Sequence, residues 1–121
     1  MMDLFNNLTD TVIVTTLNLS RQQELYIANN LANYDTPGYK AQSLSFQSQL
    51  QAALNQGPQA VAQVTGTVTT LPGAIFNNGN SVDLTAQMAS LAKAQLLYET
   101  AVQAFNAKVT AIKTVTEEKP Q

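Results

Sequence analysis

The 121-residue sequence predicts an all-α fold in which long N- and C-terminal helices pair as an antiparallel coiled coil. Pro and Gly are absent from about residue 3 to residue 33 and again from residue 84 to residue 118. All five Gly and three of the four Pro lie between residues 37 and 79. Because Pro and Gly interrupt helices, we divide the chain into an N-terminal coiled-coil helix (1–33), an irregular, loop-rich middle segment (34–82) and a C-terminal coiled-coil helix with a polar tail (83–121).

The N-terminal helix repeats its apolar residues in alternating steps of four and three, which is the spacing of one helical face. The predicted seam residues of this helix are Phe5, Leu8, Val12, Leu19 and Tyr26. The polar Thr15 and Gln22 fall in the same line, while Ile13 and Ile27 lie on a neighbouring face. A helix with apolar residues on more than one face is expected to contact at least two neighbours.

The C-terminal helix carries the clearest periodicity in the sequence, a 4-3 repeat held over four heptads. The predicted seam residues of this helix are Leu84, Met88, Leu91, Tyr98, Val102, Phe105, Val109 and Ile112. We expect this seam to face the seam of the N-terminal helix in the same chain. Asp83 is the predicted N-cap of the helix. A second line of mostly small residues fits either close contact with another helix or the high helix propensity of Ala: Ala94, Leu97, Ala101 and Ala104.

The middle segment is predicted to contain little regular structure. Its apolar spacing indicates one short amphipathic helix, built on Leu44, Phe46, Leu50, Ala53 and Leu54. Residues 59–71 are expected to be extended or mobile. The run Asn77-Asn78-Gly79-Asn80 is a strong turn signal directly before the second long helix.

The composition excludes most chemistry. There is no Cys, His or Trp, so disulfides, thiolate or imidazole metal sites and Cys- or His-based catalysis are impossible. The eight acidic residues are scattered and no phosphate-binding loop is present, so we expect no enzyme activity, no cofactor and no small-molecule substrate. The six basic residues form no stripe for nucleic acid. We expect no membrane span and no cleaved signal peptide, because long apolar runs are absent.

One motif ends the first helix, Ala28-Asn29-Asn30-Leu31-Ala32-Asn33-Tyr34-Asp35-Thr36-Pro37-Gly38-Tyr39-Lys40. Pro37 moves Thr36 out of the helical region of backbone space. The pair Pro37-Gly38 fits the centre of a type II turn, which predicts a positive φ at Gly38. Asn29 and Asn33 lie four residues apart on one helical face. From these residues alone, a simple helix stop and a functional elbow both remain open.

This motif, followed by Ser45-Phe46, resembles the N-terminal signature of bacterial flagellar rod and hook proteins. The segment Asn80-Ser81-Val82-Asp83-Leu84-Thr85-Ala86-Gln87-Met88 resembles the matching signature at the start of their C-terminal helix. Gln87 stands where the family favours Glu, and Tyr34 stands where it favours a small residue. The short chain and the form T-P-G-Y-K-A look most like a proximal rod subunit.

The resemblance implies a non-enzymatic subunit whose terminal helices pair in the core of a helical tube. This tube, the periplasmic rod of the flagellar basal body, joins the base ring to the distal rod and transmits torque. The implied partners are further copies, other rod subunits, the base-ring adaptor and the flagellar type III export apparatus, which passes the chain without cleavage. The implied signature residues, which shape the elbow and the start of the second helix, are Asn29, Asn33, Thr36, Pro37, Gly38, Tyr39 and Asp83.

Two alternatives to a proximal rod subunit stay open at this point. The first is a soluble helical adaptor or export chaperone that binds one partner. The second is a different subunit of the rod or hook base. A chain of two helices buries little surface of its own, so we expect the isolated monomer to be partly disordered and to become ordered on assembly.

Overall fold

The computed structural model describes residues 7–117, and most of them are helical. The elements follow the order α1 (Leu8–Ala32), β1 (Gln42–Ser45), α2 (Gln47–Leu54), α3 (Pro58–Ala62), β2 (Thr67–Thr70) and α4 (Leu84–Glu117). The two long terminal helices pack together as predicted. The expectation of a strictly all-α fold is wrong, because β1 and β2 form a small antiparallel sheet. Phe5 lies outside the described residues.

The helices α1 and α4 run antiparallel. Asp10 near the start of α1 forms an ion pair with Lys108 near the end of α4, with 3.3 Å between Oδ1 and Nζ. Asn30 in the last turn of α1 donates a hydrogen bond of 2.9 Å to Gln87 in the first turn of α4. These two contacts define the register along the whole helix pair.

The contact between the long helices lies along the small residues of α4 and not along its predicted seam. Ala94 and Ala101 are buried, with 3% and 5% of their surface exposed. Four residues that we expected in the intrachain seam are instead exposed: Leu84, Met88, Phe105 and Val109. The other four are half-buried at the flank of the contact: Leu91, Tyr98, Val102 and Ile112. Small side chains let two helix backbones approach closely, so α1 packs beside the bulky stripe and leaves part of it uncovered.

The predicted seam of α1 packs largely against the middle segment. Val12, Leu19 and Tyr26 belong to a cluster that the middle segment completes. The buried members of this cluster are Leu19, Leu44, Phe46, Ala53, Val61 and Val64. Burying a side chain such as Phe46 contributes about 1.5–3 kcal/mol, so this contact occupies the bulky face of α1. As a result α1 turns a different face, which includes Ile27, towards α4. Leu8, also predicted in this seam, is exposed.

The middle segment is more regular than the sequence indicated. Residues 59–71, expected to be extended or mobile, contain the helix α3 and the strand β2. Pro58 occupies the first turn of α3, where a missing N–H costs nothing. The predicted amphipathic helix is shorter than expected and begins at Gln47, with Phe46 as its N-cap. Leu44, which was predicted to belong to this helix, lies instead in β1 opposite Val68. Within residues 7–117, no helix combines the length and the apolar character needed to cross a bilayer.

Candidate functional site

The two sequence signatures meet at one end of the helix pair. The N–H of Gly38 donates to the carbonyl of Asn78 at 2.9 Å, and the N–H of Ser81 donates to the carbonyl of Tyr39 at 3.0 Å. We call this contact between residues 29–42 and residues 78–87 the junction. It joins the end of α1 to the start of α4, so the signatures are two halves of one structural unit.

Asn30 is the centre of the junction. Its side chain is 1% exposed and its Nδ2 donates to the carbonyl of Gln42 at 2.7 Å and to Oε1 of Gln87 at 2.9 Å. Its Oδ1 accepts from the N–H of Gln42 at 3.0 Å and from the hydroxyl of Tyr39 at 3.1 Å. Both amide protons and two acceptor positions are used, which is the full capacity of the group. One side chain therefore connects α1, β1, the turn that contains Pro37 and Gly38, and α4.

Asn80 is a second buried amide, fully covered by the protein. Its Nδ2 donates to the carbonyls of Asn33 at 2.8 Å and Thr36 at 2.7 Å. Its Oδ1 accepts from the N–H of Val82 at 2.7 Å. Carbonyls at the C-terminal end of a helix have no partner within that helix. Asn80 supplies this partner from a distant part of the chain, and so caps α1 from the side of α4.

Ser81 attaches the small sheet to the junction. The hydroxyl of this fully buried residue accepts from the N–H of Ala41 at 2.8 Å and donates to the carbonyl of Leu71 at 2.8 Å. Ala41 precedes β1 and Leu71 follows β2. The start of one strand and the end of the other are thus held by a single hydroxyl.

Asp83 caps α4 as predicted. Its Oδ1 accepts from the N–H of Ala86 at 3.2 Å, and its carbonyl accepts the first helical bond from Gln87 at 2.9 Å. This bond to the free N–H groups of the first turn begins the helix at Leu84. The direction of α4 is therefore set next to Asn80 and Ser81.

The predicted elbow turn is present and lies against a second turn. Gly38 has a φ of +75°, and the N–H of Tyr39 donates to the carbonyl of Thr36 at 3.2 Å, as in a type II turn around Pro37. Gly79 also has a positive φ of +84°, and a Cβ on it would lie 3.5 Å from the Cα of Gly38. The two backbones are in contact here, and the ammonium group of Lys40 donates to the carbonyl of Gly79.

The other predicted signature residues surround these buried groups. Nδ2 of Asn29 donates to the hydroxyl of Tyr39 at 3.0 Å. The hydroxyl of Thr36 donates to Oδ1 of Asn33 at 3.1 Å. Asn29 and Thr36 are exposed, and Asn33 is half-buried. The structure brings all the predicted signature residues to the junction, but it places these side chains at the surface of the junction.

The buried polar residues Asn30, Asn80 and Ser81 were not among the predicted site residues. For Asn30 a signal was available, because it follows Ile27 by three residues on a face that also includes Ile13. An amide on an apolar helical face predicts a buried hydrogen-bonded group. Asn80 and Ser81 lie in a turn region, and no local pattern distinguishes them from exposed polar residues.

The side chains of the junction form a network of structural hydrogen bonds. In the part of the chain that the structure describes, no three His, Cys, Asp or Glu side chains are grouped to hold a metal ion. A cavity of about 170 Å³ between α1, β1 and α4 is lined by polar and apolar side chains together, including Gln23, Gln87, Ile27 and Leu44. The polar side chains of the junction bind backbone groups and one another.

The exposed apolar residues are the second functional feature. Met88 is 59% exposed and Leu84 is 42% exposed on α4, and Leu25 on α1 is 58% exposed. A folded chain that stays monomeric rarely exposes large continuous apolar patches. A helix pair held by a hydrogen-bonded junction, with apolar residues left uncovered, is the architecture expected of a structural subunit in a larger assembly.

Comparison with known proteins agrees with this class. A family model described as flagella basal body rod protein matches residues 13–40, which include most of α1 and the elbow turn. The chain is 35% identical over 100 residues to the flagellar basal body rod protein FlgB of Bacillus subtilis, covering 74% of this chain and 78% of the relative. The chain belongs to the flagellar basal body rod protein family.

Further relatives carry the same name. FlgB of Escherichia coli (strain K12) is 27% identical over 118 residues, which cover 82% of this chain and 86% of the relative. FlgB of Borrelia hermsii is 30% identical over 112 residues, which cover 74% of this chain and 82% of the relative. The similarity thus extends far beyond the segment that the family model matches.

Proposed function

We propose that this protein is a non-catalytic structural subunit of the proximal part of the flagellar basal body rod. Copies of the chain, together with other rod subunits, pack their terminal helices into a helical tube that links the base ring to the distal rod. The single observation that carries this proposal is the exposed part of the apolar stripe of α4, which consists of Leu84 and Met88 near the start of the helix and Phe105 and Val109 towards its end.

The stripe fits helix packing between subunits. Met88 and Phe105 lie on the part of the 4-3 repeat that α1 leaves uncovered. Covering such side chains with a neighbouring helix contributes about 1.5–3 kcal/mol for each one fully buried. Several such contacts along one helix are enough to hold a subunit whose own core is small. In the rod, these side chains complete the coiled-coil core that the sequence periodicity predicts.

The junction supports the transmission of torque. The buried amides of Asn30 and Asn80 bond backbone groups of separate elements. Fully satisfied buried networks are rigid, so the helix pair and the middle segment turn as one body. Torque applied to the helices in the core of the rod is then transmitted to the middle segment through these hydrogen bonds.

The proposal includes a route and a set of partners. The chain passes through the flagellar type III export apparatus without a cleaved signal and joins the periplasmic rod of the basal body. Its neighbours are further copies, other rod subunits and the adaptor at the base ring. The membership of the family and the names of the relatives support this location.

A matched pair of substitutions tests the proposal. An epitope-tagged chain is expressed in a strain that lacks the native gene, and purified basal bodies are probed for the tag. We expect the tagged wild type and Met88→Leu in basal bodies, and we expect Met88→Asp to be absent from them. A charge on the stripe opposes burial, whereas Leu preserves the apolar contact. Absence of the wild-type chain from basal bodies, with a discrete complex with one partner in size-exclusion chromatography, would instead indicate an adaptor or export chaperone.

A further inference from the structure

One edge of the two-stranded sheet is closed by α1. The N–H of Leu71 donates to the carbonyl of Ala41 at 2.8 Å, so the pairs Ser43–Thr69 and Ser45–Thr67 also direct their backbone groups inward. Gln42 and Leu44 therefore point their backbone groups away from β2. Side chains of α1 bind them: Asn30 bonds both backbone groups of Gln42, and Gln23 donates to the carbonyl of Leu44 at 2.9 Å.

The opposite edge of the sheet is open. By the same alternation, Val68 and Thr70 point their N–H and C=O groups away from β1. No residue between 7 and 117 forms a hydrogen bond with these four groups. All four residues of β2 are exposed. The free groups are those that an added strand would bind.

The apolar face of the sheet extends from β1 to the open edge strand β2. Leu44 and Val68 are directly opposite each other, so their side chains share one face. Leu44 is 7% exposed in the core, whereas Val68 is 45% exposed. Val68 is therefore covered on the side of β1 and lacks a neighbour on the other side. An apolar side chain on a third strand would fill this position.

The open edge carries no charge, Pro or bulge that would oppose pairing. Natural edge strands are protected by charged side chains, Pro or bulges, or by being very short, and of these β2 has only its short length of 4 residues. Residues 41–82 contain no Asp, Glu, Lys or Arg, and β2 contains no Pro. The exposed apolar residue Leu71 follows the strand directly, and the exposed Ile75 and Phe76 lie in the loop beyond Pro72 and Gly73. Neither charge nor shape opposes the approach of an uncharged chain.

We propose that β2 is a docking edge that takes an extended, uncharged segment of a neighbouring rod subunit as a third strand of the sheet. The added strand bonds the outward groups of Val68 and Thr70 and places an apolar side chain beside Val68. This inference rests on the proposed function as a rod subunit. Pairing of β2 with β2 of a second copy would close a two-fold dimer, whereas a growing rod needs head-to-tail contacts. The donated strand is therefore a different segment.

Two pairs of variants test this edge. Thr70→Pro removes an outward N–H and leaves the ladder with β1 intact, because Pro is tolerated where the N–H faces outward. Thr70→Ala keeps this N–H and is its matched control. Val68→Lys places a charge on the edge, and Val68→Thr keeps the branched shape without charge. Circular dichroism compares the helix content of each purified variant with that of the wild type at the same concentration, and if Thr70→Pro has less helix than the wild type, Val68→Lys decides the test.

The readout is the amount of tagged chain in purified basal bodies. We expect Thr70→Pro and Val68→Lys to fall about tenfold or more, from lost hydrogen bonds and apolar contact, while both controls stay near the wild type. Wild-type amounts of folded Thr70→Pro and Val68→Lys overturn the docking edge but leave the proposed function intact. An equal loss in Thr70→Ala also overturns it. So does a stable wild-type homodimer that Val68→Lys dissociates. Absence of the wild type itself from basal bodies is the failure of the proposed function.

Discussion

The side-chain amide of Asn30 donates a hydrogen bond of 2.9 Å to the side-chain oxygen of Gln87, which lies 57 residues further along the chain. This contact joins the last turn of α1 to the first turn of α4. Together with the caps supplied by Asn80 and Asp83, it orients both long helices at one point. The apolar stripe that we assign to assembly is therefore presented in a defined direction.

The first prediction concerns Asn30. Asn30→Ala leaves the N–H and C=O of Gln42 without their side-chain partner and also frees Gln87, so we expect the free energy of unfolding to fall by about 3 kcal/mol. Urea titration followed by far-UV circular dichroism measures the change. Asn29→Ala, at an exposed neighbouring position, is expected to change stability by less than about 0.5 kcal/mol. Equal effects of the two substitutions would contradict the central role of Asn30.

The second prediction concerns the elbow turn. Gly38 has a φ of +75° and a Cβ built on it would meet no atom within 4 Å, so the cost of a side chain comes from the backbone alone. Gly38→Val is expected to lower stability by about 1–2 kcal/mol and to impair swimming, because a branched residue disfavours positive φ. Gly38→Asn should be milder, since Asn adopts this region more readily. Thermal unfolding and soft-agar motility provide the measurements, and wild-type behaviour of Gly38→Val would count against the prediction.

The third prediction compares two glycines with positive φ. A Cβ on Gly66 would lie 2.8 Å from Cδ1 of Leu44 and 3.0 Å from the carbonyl oxygen of Ser45, whereas a Cβ on Gly57 would meet no atom within 4 Å. Both Gly→Ala substitutions place a side chain at a positive φ, which is unfavourable for the backbone. Only Gly66→Ala also brings its Cβ too close to Leu44 in the core and to the carbonyl oxygen of Ser45 in β1. We expect Gly66→Ala to be more destabilising than Gly57→Ala by about 1–3 kcal/mol in chemical denaturation. The reverse order would show that the loop before β2 is free to move away from Leu44.

The fourth prediction concerns the ion pair between the helices. The side chain of Asp10 is 7% exposed, and its Oδ2 has no hydrogen-bond partner among the residues that the structure describes. Lys108→Met leaves this carboxylate without its cation, and we expect a loss of about 3 kcal/mol. The double variant Asp10→Leu with Lys108→Met removes the uncompensated charge and should recover much of this loss. A double-mutant cycle from denaturation curves measures the coupling, and a double variant no better than Lys108→Met would refute it.

The fifth prediction concerns the isolated subunit. Residues 103–107 and 113–116 of α4 are exposed, so the last turns of this helix gain little from burial within the chain. We expect the helix content of the dilute monomer to be incomplete and to increase with concentration, because long helices depend on packing. Circular dichroism across a dilution series provides the measurement. Full helicity with one cooperative transition at all concentrations would contradict this expectation.

Local sequence signals predicted the local structure well. The absence of Pro and Gly predicted two long helices, Asp83 was identified as an N-cap, and Pro37-Gly38 indicated a turn with positive φ. Each of these features depends on residues within about four positions of one another. The same is true of the signature motif that pointed to the family.

Tertiary contacts decided which faces of the helices are buried. The repeat of α4 predicted Leu84 and Met88 in the intrachain seam, but α1 packs along Ala94 and Ala101. Periodicity identifies an apolar face and contains no information about which neighbour covers it. Here the middle segment covers the bulky face of α1, so the small residues of α4 meet α1 and the bulky stripe stays open.

The sequence by itself determined the two helices, the Asp83 cap of α4, the elbow turn and the family to which the chain belongs. Only the tertiary structure decided the pairing of β1 with β2, the hydrogen-bond partners of Asn30, the burial of Asn80 and Ser81, and the direction in which the apolar stripe faces. The physical reason is the range of the interactions. Caps, turns and helical periodicity act between near neighbours in the chain, whereas strand pairing and buried amide networks form between segments that come together only when the whole chain has folded.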